Sequence, residues 1–276
     1  MKIAIYADEM AKRGESGVKN YSIEIAKGLL RIDDKNEYTL YSRENIDDKI
    51  TPYKAKTVCK RPKMWKWIFF VFAPLIKKDR PDIVFMPIQT FPFLIVPKKV
   101  PKVVVTVHDV AFLLFPQYFN FWKRQYLRFN TRRSVKLANR IIVPSEATKR
   151  DIVRFYKVPE CKIRVVHHGV SKELRELAQK NDPRVNGLSK GCPYILFVGA
   201  IQPRKNIIRL VKAFDMLKKT GKYEHKLIIC GGKGWLYWKI FDSIRHSAFH
   251  EDVIIVGDAG NDLLASLYAD ADLFVM

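Results

Sequence analysis

The sequence predicts an α/β protein of two domains, each a parallel sheet wound with crossover helices, the second of them incomplete. Three observations predict this. The chain has 276 residues, and at roughly 100–200 residues per domain that length calls for two. Strand-length apolar runs alternate with helix-length amphipathic runs from end to end, the pattern of strand–helix–strand units in a parallel sheet. A polar stretch rich in turn formers splits that alternation into two series.

In the first series, strands are expected at Ile3–Tyr6, Tyr38–Tyr41, Ala55–Cys59, Ile83–Phe85, Val103–Val107, Ile141–Val143 and Ile163–Val166. Helices are expected near Val18–Leu30, Met64–Ile76, Asn120–Ala138 and Glu146–Tyr156. The longest apolar run, WIFFVFAPLI from Trp67 to Ile76, is about half of the roughly 20 residues a membrane-spanning helix needs. It also contains Pro74, so a core-facing helix is expected, with an interfacial segment aided by Trp65 and Trp67 as the alternative. The polar stretch, with Asn181-Asp182-Pro183, Asn186-Gly187 and Gly191, reads as a linker over 171–190 between domains at 1–170 and 191–276.

The second series reads Tyr194–Val198 strand, Ile207–Lys219 helix, Lys226–Cys230 strand, Trp235–Ser247 helix, Val253–Val256 strand, Asp262–Ala269 helix and Leu273–Val275 strand. The sequence stops at Met276 on that last strand. A parallel sheet needs cover on both faces, so the second domain is expected to be poorly sealed, as in a truncated frame or a chain completed by a partner.

Hydrophobic residues make up 48% and aromatics 12% of the chain, enough for a packed core and contrary to a disordered composition. The four cysteines, Cys59, Cys161, Cys192 and Cys230, are scattered without a CxxC pair or clustered histidines, so they read as reduced thiols and not as a zinc site. With no long apolar segment at the N-terminus, the cytoplasm is the expected compartment. The formal net charge of +22 favours anionic partners: nucleotides, lipid phosphates, anionic membrane surfaces or nucleic acid. The densest block is FNFWKRQYLRFNTRRSVKLANR from Phe119 to Arg140, where Trp122, Tyr126 and Phe129 share one helical face among the cations. It reads as a solvated basic helix or as a face for an anionic membrane. None of the sequence signatures of nucleic-acid binding occurs, so a nucleic-acid partner is not expected.

Chemistry is expected where strands end, because open parallel sheets bind ligands beyond their carboxyl edges. Gly14-Glu15-Ser16-Gly17 lies between the first strand and first helix, where glycines let backbone amides approach a phosphate or a sugar, though a plain turn fits equally. His108 and Asp109 follow the strand in VVVTVHDVAFLLF. A histidine there can hold a sugar hydroxyl or accept a proton near neutral pH, or can simply be structural. Arg204 and Lys205 follow YILFVG, and two cations at a strand end suit a diphosphate whose charge grows as it leaves. Gly232 and Lys233, in CGGKGW, repeat the theme without being a Walker loop. Asp270-Ala271-Asp272 has an acidic spacing that can hold a divalent metal, but it precedes its strand and so lies at the wrong edge. No metal is expected.

Together these segments resemble, over nearly the whole chain, retaining glycosyltransferases of family 4, which have the GT-B fold. ESGVKNYSIEIAKGLL is similar to the family's N-terminal glycine loop and first helix, and VVVTVHDVAFLLFPQYF to its His-Asp segment. ANRIIVPSEATKRDIVRFYKVPECKIRVVHHGV resembles the passage from a serine-bearing loop into the interdomain connection. YILFVGAIQPRKNIIRLVKAF is close to the family's Arg-Lys donor motif, and LIICGGKGW and VIIVGDAGNDLLASLYADADLFVM follow in the family's order. The resemblance implies two Rossmann-like domains facing across a cleft and metal-independent transfer with retention at the anomeric carbon. It implies a hexose, mannose among the candidates, carried on a GDP- or UDP-linked donor, and no cofactor beyond that substrate. A lipid-linked or polysaccharide acceptor at the cytoplasmic membrane face is implied too. Carried onto this chain, Gly17, His108, Asp109 and Ser145 line the cleft from the N-terminal side, while Arg204 and Lys205 hold the diphosphate from the other.

Two departures qualify the resemblance. In the family, the strand ending ADLFV leads to a paired-glutamate motif, E-x7-E, that contacts the donor; in this sequence nothing follows Met276. His167-His168-Gly169 also stands where relatives often have Pro-Asn-Gly. The alternative to an active transferase is therefore a subunit or remnant that binds nucleotide sugar or acceptor without turnover.

Overall fold

The computed structural model describes residues 1–12, 16–46, 55–60, 67–90 and 102–276. The chain forms two compact units, Met1–Gly169 and Val170–Met276. In the first, the strands are β1 (Lys2–Tyr6), β2 (Glu37–Ser42), β3 (Ala55–Cys59), β4 (Ile83–Met86), β5 (Lys102–Thr106), β6 (Arg140–Val143) and β7 (Ile163–Val165). Its helices are α1 (Gly17–Ile32), α2 (Phe72–Asp79), α3 (Ala111–Leu114), α4 (Phe121–Leu137) and α5 (Glu146–Tyr156). Among the described residues the strands form one parallel sheet in the order β3-β2-β1-β4-β5-β6-β7.

Strand side chains alternate between faces, and each face has its own core. Ala4, Tyr6, Val84, Met86, Val105, Ile141 and Val143 pack against Phe72, Ile76, Val135 and Ile152 from α2, α4 and α5. On the opposite face Ile5, Leu40 and Phe85 meet Ala26 of α1. Trp67 is fully buried and opens a π-helical turn, Trp67–Val71, that leads into α2. Trp67, Phe72, Ala73 and Ile76 of the apolar run serve the core, while Phe70 is 64% exposed; Met64 and Trp65 lie outside the described residues. No helix among the described residues is long and apolar enough to cross a membrane.

Asp8, just past β1, has a side chain only 1% exposed, and Arg43 Nε donates to both its carboxylate oxygens at 2.9 and 3.0 Å. Arg43 also donates its backbone N–H to Asp8 Oδ1 at 3.1 Å, which ties the ends of β1 and β2 together. Asp8→Asn keeps the shape and loses the charge, so it should destabilise the chain by about 2 kcal/mol, the usual worth of a hydrogen bond to a charged group. Chemical denaturation checks this: an unchanged midpoint contradicts it.

The second unit holds β8 (Tyr194–Val198), β9 (Lys226–Cys230), β10 (Val253–Gly257) and β11 (Leu273–Val275), parallel in the order β10-β9-β8-β11. Its helices are α6 (Lys172–Glu176), α7 (Pro183–Ser189), α8 (Ile207–Lys219), α9 (Tyr237–Arg245) and α10 (Asn261–Asp270). The stretch read as a linker is therefore two short helices inside the second unit. The turn formers start a helix here: the Asp182 side chain caps α7 by accepting from Arg184 N at 2.9 Å, and Pro183 occupies the first turn, where its missing N–H costs nothing. Arg184 then bridges Asp182 at 2.7 Å and Asp262, at the start of α10, at 2.6 Å.

This also narrows the expectation of an unsealed sheet to its edge strand, β11. One face packs Ile195, Phe197, Leu227 and Ile229 under Val211, Phe214, Ile240 and Ile244 of α8 and α9. The other packs Tyr194, Leu196, Ile228 and Cys230 under Val185 of α7 and Leu267 of α10. The connector supplies cover that sequence reading sought after Met276. Among the four strands only the edge strand β11 has exposed residues, Leu273 at 54% and Phe274 at 43%.

Candidate functional site

In the first unit the strand order reverses at β1, which pairs with β2 on one side and β4 on the other. Loops leaving the carboxyl ends of such neighbouring strands diverge and leave room for a ligand. The loop after β1 leads to Ser16, the N-cap of α1, whose Oγ accepts from Lys19 N at 3.2 Å. Gly17 is the first residue of that helix and has open space where a side chain would stand, whereas Gly14 and Glu15 lie outside the described residues.

His108 lies two residues past β5, between the ends of β4 and β6, and its Nε2 is 3.0 Å from the Pro87 carbonyl that follows β4. A carbonyl can only accept, so in the neutral ring Nε2 carries the proton and Nδ1 carries the lone pair. Burial lowers the His108 pKa, and the neighbouring His168 ring lowers it further, against the opposing pull of the Pro87 hydrogen bond. Tyr21 of α1 packs edge-on against His108, with centroids 4.8 Å apart, and lies tilted by 31° over His168 at 4.9 Å. The Tyr21 hydroxyl lies 3.0 Å from Thr106 Oγ1 at the end of β5. Tyr21 and His168 thus frame His108, and the sequence reading passed over Tyr21. Its signal was the helical spacing from Gly17, which carries a residue one turn on back to the same edge.

Asp109 and Ser145 have local work. Asp109 Oδ1 accepts from Ala111 N at 3.0 Å, holding the turn into α3. Ser145 caps α5, accepting from Thr148 N at 3.2 Å, and Thr148 Oγ1 reaches the His108 carbonyl at 3.4 Å. The cap of α5 is therefore linked to the backbone that presents His108.

Because folding keeps His108 neutral, the unfolded chain binds more protons just below the ordinary histidine value of ~6.5. Stability then rises with pH through that window and is fully present above it. The melting temperature of the intact chain should fall as pH drops from neutral to below ~6, and His108→Gln should flatten the slope. Equal slopes for both proteins contradict the assignment.

In the second unit β8 is the reversal strand, paired with β9 and β11. Beyond it, Gly199 donates to the Cys230 carbonyl at 2.8 Å and Ile201 to the Gly232 carbonyl at 2.9 Å, while Gly234 donates back to Ile201 at 3.0 Å. Gly199 and Gly231 have φ of +153° and +148°, and a side chain on Gly231 would collide with Gly199 O at 2.2 Å. The loops after β8 and β9 are so stitched together, glycine against glycine. Arg204 and Lys205 close a short 3-10 turn on that platform, half-buried, with Lys205 Cε 3.6 Å from where a Gly199 side chain would begin.

Neither Arg204 nor Lys205 belongs to an ion pair among the described residues. Directly after them α8 begins with no side-chain cap, so its first amides are left for a ligand or water. Two cations without counter-charges beside open helical amides suit a diphosphate.

The neighbouring glycine loop is arranged differently. The Asp258 carboxylate stands 2.7 Å from the place a side chain on Gly232 would occupy. The Lys233 ammonium lies over the rings of Tyr237 and Phe241, 5.3 and 5.7 Å from their centroids. To reach a phosphate, Lys233 has to leave those rings. At the opposite edge, Asp270 accepts from Asn181 N at 2.9 Å and Asp272 meets His225 Nε2 at 3.1 Å, so both carboxylates have protein partners.

Residues 16–174 match Glycosyltransferase Family 4, and residues 178–276 match Glycosyl transferases group 1. The chain is 23% identical over 299 residues to O-antigen chain mannosyltransferase B of Escherichia coli, covering 100% of this chain and 76% of the relative. Among solved structures, a sucrose-phosphate synthase from Thermosynechococcus elongatus superposes with a TM-score of 0.75 at 16% identity, covering 99% of this chain and 74% of that one. The Anabaena protein HepE, solved with UDP and glucose, superposes with a TM-score of 0.68 at 14% identity, covering 99% and 73%.

Proposed function

Since the chain belongs to glycosyltransferase family 4, we propose that it transfers a hexose from a nucleotide sugar to a lipid-linked or polysaccharide acceptor, with mannose from GDP-mannose as the first candidate. The observation that carries this reading is the pair Arg204-Lys205, two cations without counter-charges at the reversal strand of the second unit, next to an uncapped helix start. Preorganised positive charge stabilises the departing diphosphate as its charge grows, without help from a metal. Gly232 contributes the close backbone approach in the adjoining loop.

The first unit serves the acceptor. His108, neutral through burial, offers Nδ1 as a hydrogen-bond acceptor for a sugar hydroxyl, while Pro87 and Tyr21 fix its ring. Asp109 and Ser145 hold the backbone on either side, and Gly17 leaves the start of α1 open to the substrate. Retention at the anomeric carbon, independence from metals and action at the cytoplasmic membrane face complete the reading. Support for mannose comes from the Escherichia coli mannosyltransferase, and support for a nucleotide sugar from the UDP and glucose bound to HepE.

The test is a binding and transfer panel on the 276-residue chain: GDP-mannose and UDP-glucose, with a lipid-pyrophosphate acceptor, with and without a chelator. The expected result is tighter binding of GDP-mannose, unaffected by the chelator, and an α-linked product from that α-linked donor. Binding of neither donor sinks the reading.

A further inference from the structure

Helix α4 is turned inside out for a helix lying on a sheet. Its buried residues are Asn130, Thr131, Ser134 and Val135, so the inward face is mostly small and polar. Its large rings point outward instead: Phe121 is 55% exposed, Trp122 77%, Tyr126 51% and Phe129 56%. A surface helix normally shows the reverse, with its apolar stripe on the core.

The cations share this outward side. At about 100° per residue, Arg128, Arg132 and Lys136 flank the row formed by Phe121, Trp122 and Phe129, and all three are exposed. No ion pair holds Lys123, Arg124, Arg128, Arg132 or Lys136 among the described residues. No acidic residue occurs between Asp109 and Glu146. Arg124 lies over the Phe121 ring, 5.7 Å from its centroid, and Trp122 packs edge-on to Phe121 at 5.4 Å. An exposed apolar cluster rimmed by charged residues marks an interaction site. Its partner has to tolerate rings and demand positive charge together, which describes the headgroup boundary of an anionic bilayer.

We propose that the outward face of α4 docks the protein on anionic phospholipid membranes, with the basic side chains on lipid phosphates and Trp122, Tyr126 and Phe129 set into the headgroup layer. The proposal deepens the membrane-face part of the reading above, and its failure is separable from failure of the sugar-transfer part, because binding a vesicle requires no donor.

The experiment is co-sedimentation of the 276-residue chain with phosphatidylcholine vesicles, with and without phosphatidylglycerol, over a range of salt. Tight binding to the anionic vesicles alone, weakened by salt, is expected. Changing Arg128, Arg132 and Lys136 together to Gln should weaken it on the order of 100-fold, at about fivefold per cation near such a surface. Trp122→Ser with Tyr126→Ser should weaken it too, with circular dichroism unchanged because these side chains are exposed. Trp122 emission, taken as the difference from Trp122→Phe, should shift to the blue on anionic vesicles. Equal binding to neutral vesicles overturns the proposal. So does salt-sensitive binding without the Trp122 shift, which is a polycation's general affinity, or tighter binding to single-stranded nucleic acid that the same substitutions abolish. Self-association abolished by those substitutions would identify a second copy as the occupant and overturn it as well.

Discussion

Changing Arg204 and Lys205 together to alanine is expected to lower the affinity of the chain for UDP and GDP by about 100- to 10,000-fold. Each cation that meets a phosphate oxygen contributes about 1.5–3 kcal/mol, and every 1.4 kcal/mol is tenfold in affinity. The loss should fall on the diphosphate: uridine and guanosine, which lack it, should bind the variant and the parent alike. Arg204→Lys should recover part of the affinity but not all, because a point charge replaces a planar fork of donors. Both side chains are half-buried and in no ion pair among the described residues, so their removal strands no buried charge there and the fold should survive. Isothermal titration settles the matter, and a double variant that binds UDP like the parent removes the donor-site assignment.

Gly231→Ala is expected to destabilise the second unit by about 4 kcal/mol. Two costs add there. The backbone at φ +148° is one that a side-chain-bearing residue rarely adopts, at about 1–3 kcal/mol. The added carbon also lands 2.2 Å from Gly199 O and 2.6 Å from its carbonyl carbon, which are backbone and cannot swing aside, at about another 1–3 kcal/mol. Gly187→Ala is the control, since it meets nothing within 4 Å and its φ is ordinary. Thermal melts should separate the two variants clearly, and equal melting temperatures would refute the argument.

Strands were the most legible part of the sequence, because a doubly covered parallel sheet writes itself as unbroken apolar runs such as Tyr194–Val198 and Lys226–Cys230. Helix boundaries were nearly as clear wherever a cap marked them, as Ser145 does for α5. The stretch at 171–190 was misread because short polar sequences carry little hydrophobic period. Asn181-Asp182-Pro183 signals a turn and a helix start equally well, and only Val185, buried against Tyr194 and Leu267, shows which it is. In α4 the helical period was legible, but which side faced the core was not, because the inward contacts are made by Asn130, Thr131 and Ser134. The site followed the same logic. The placement of His108, Arg204 and Lys205 beyond strand ends was legible, because each follows closely on an unbroken apolar run. Tyr21 acts from another element, and the stacking of Lys233 on Tyr237 and Phe241 competes with a phosphate in a way that residue types do not encode.

The helical build of residues 172–189 decides where the chain can be divided. A fragment that starts at 191 loses Val185 from beneath the sheet and leaves Asp262 without Arg184, so it should misfold, aggregate and yield little soluble protein. A fragment that starts at Val170 keeps both. A protease that cuts at exposed, unstructured backbone should therefore act in the exposed turn at 177–181 and spare 183–189 in the native protein, and genetic fusions or insertions placed within 183–189 should be poorly tolerated.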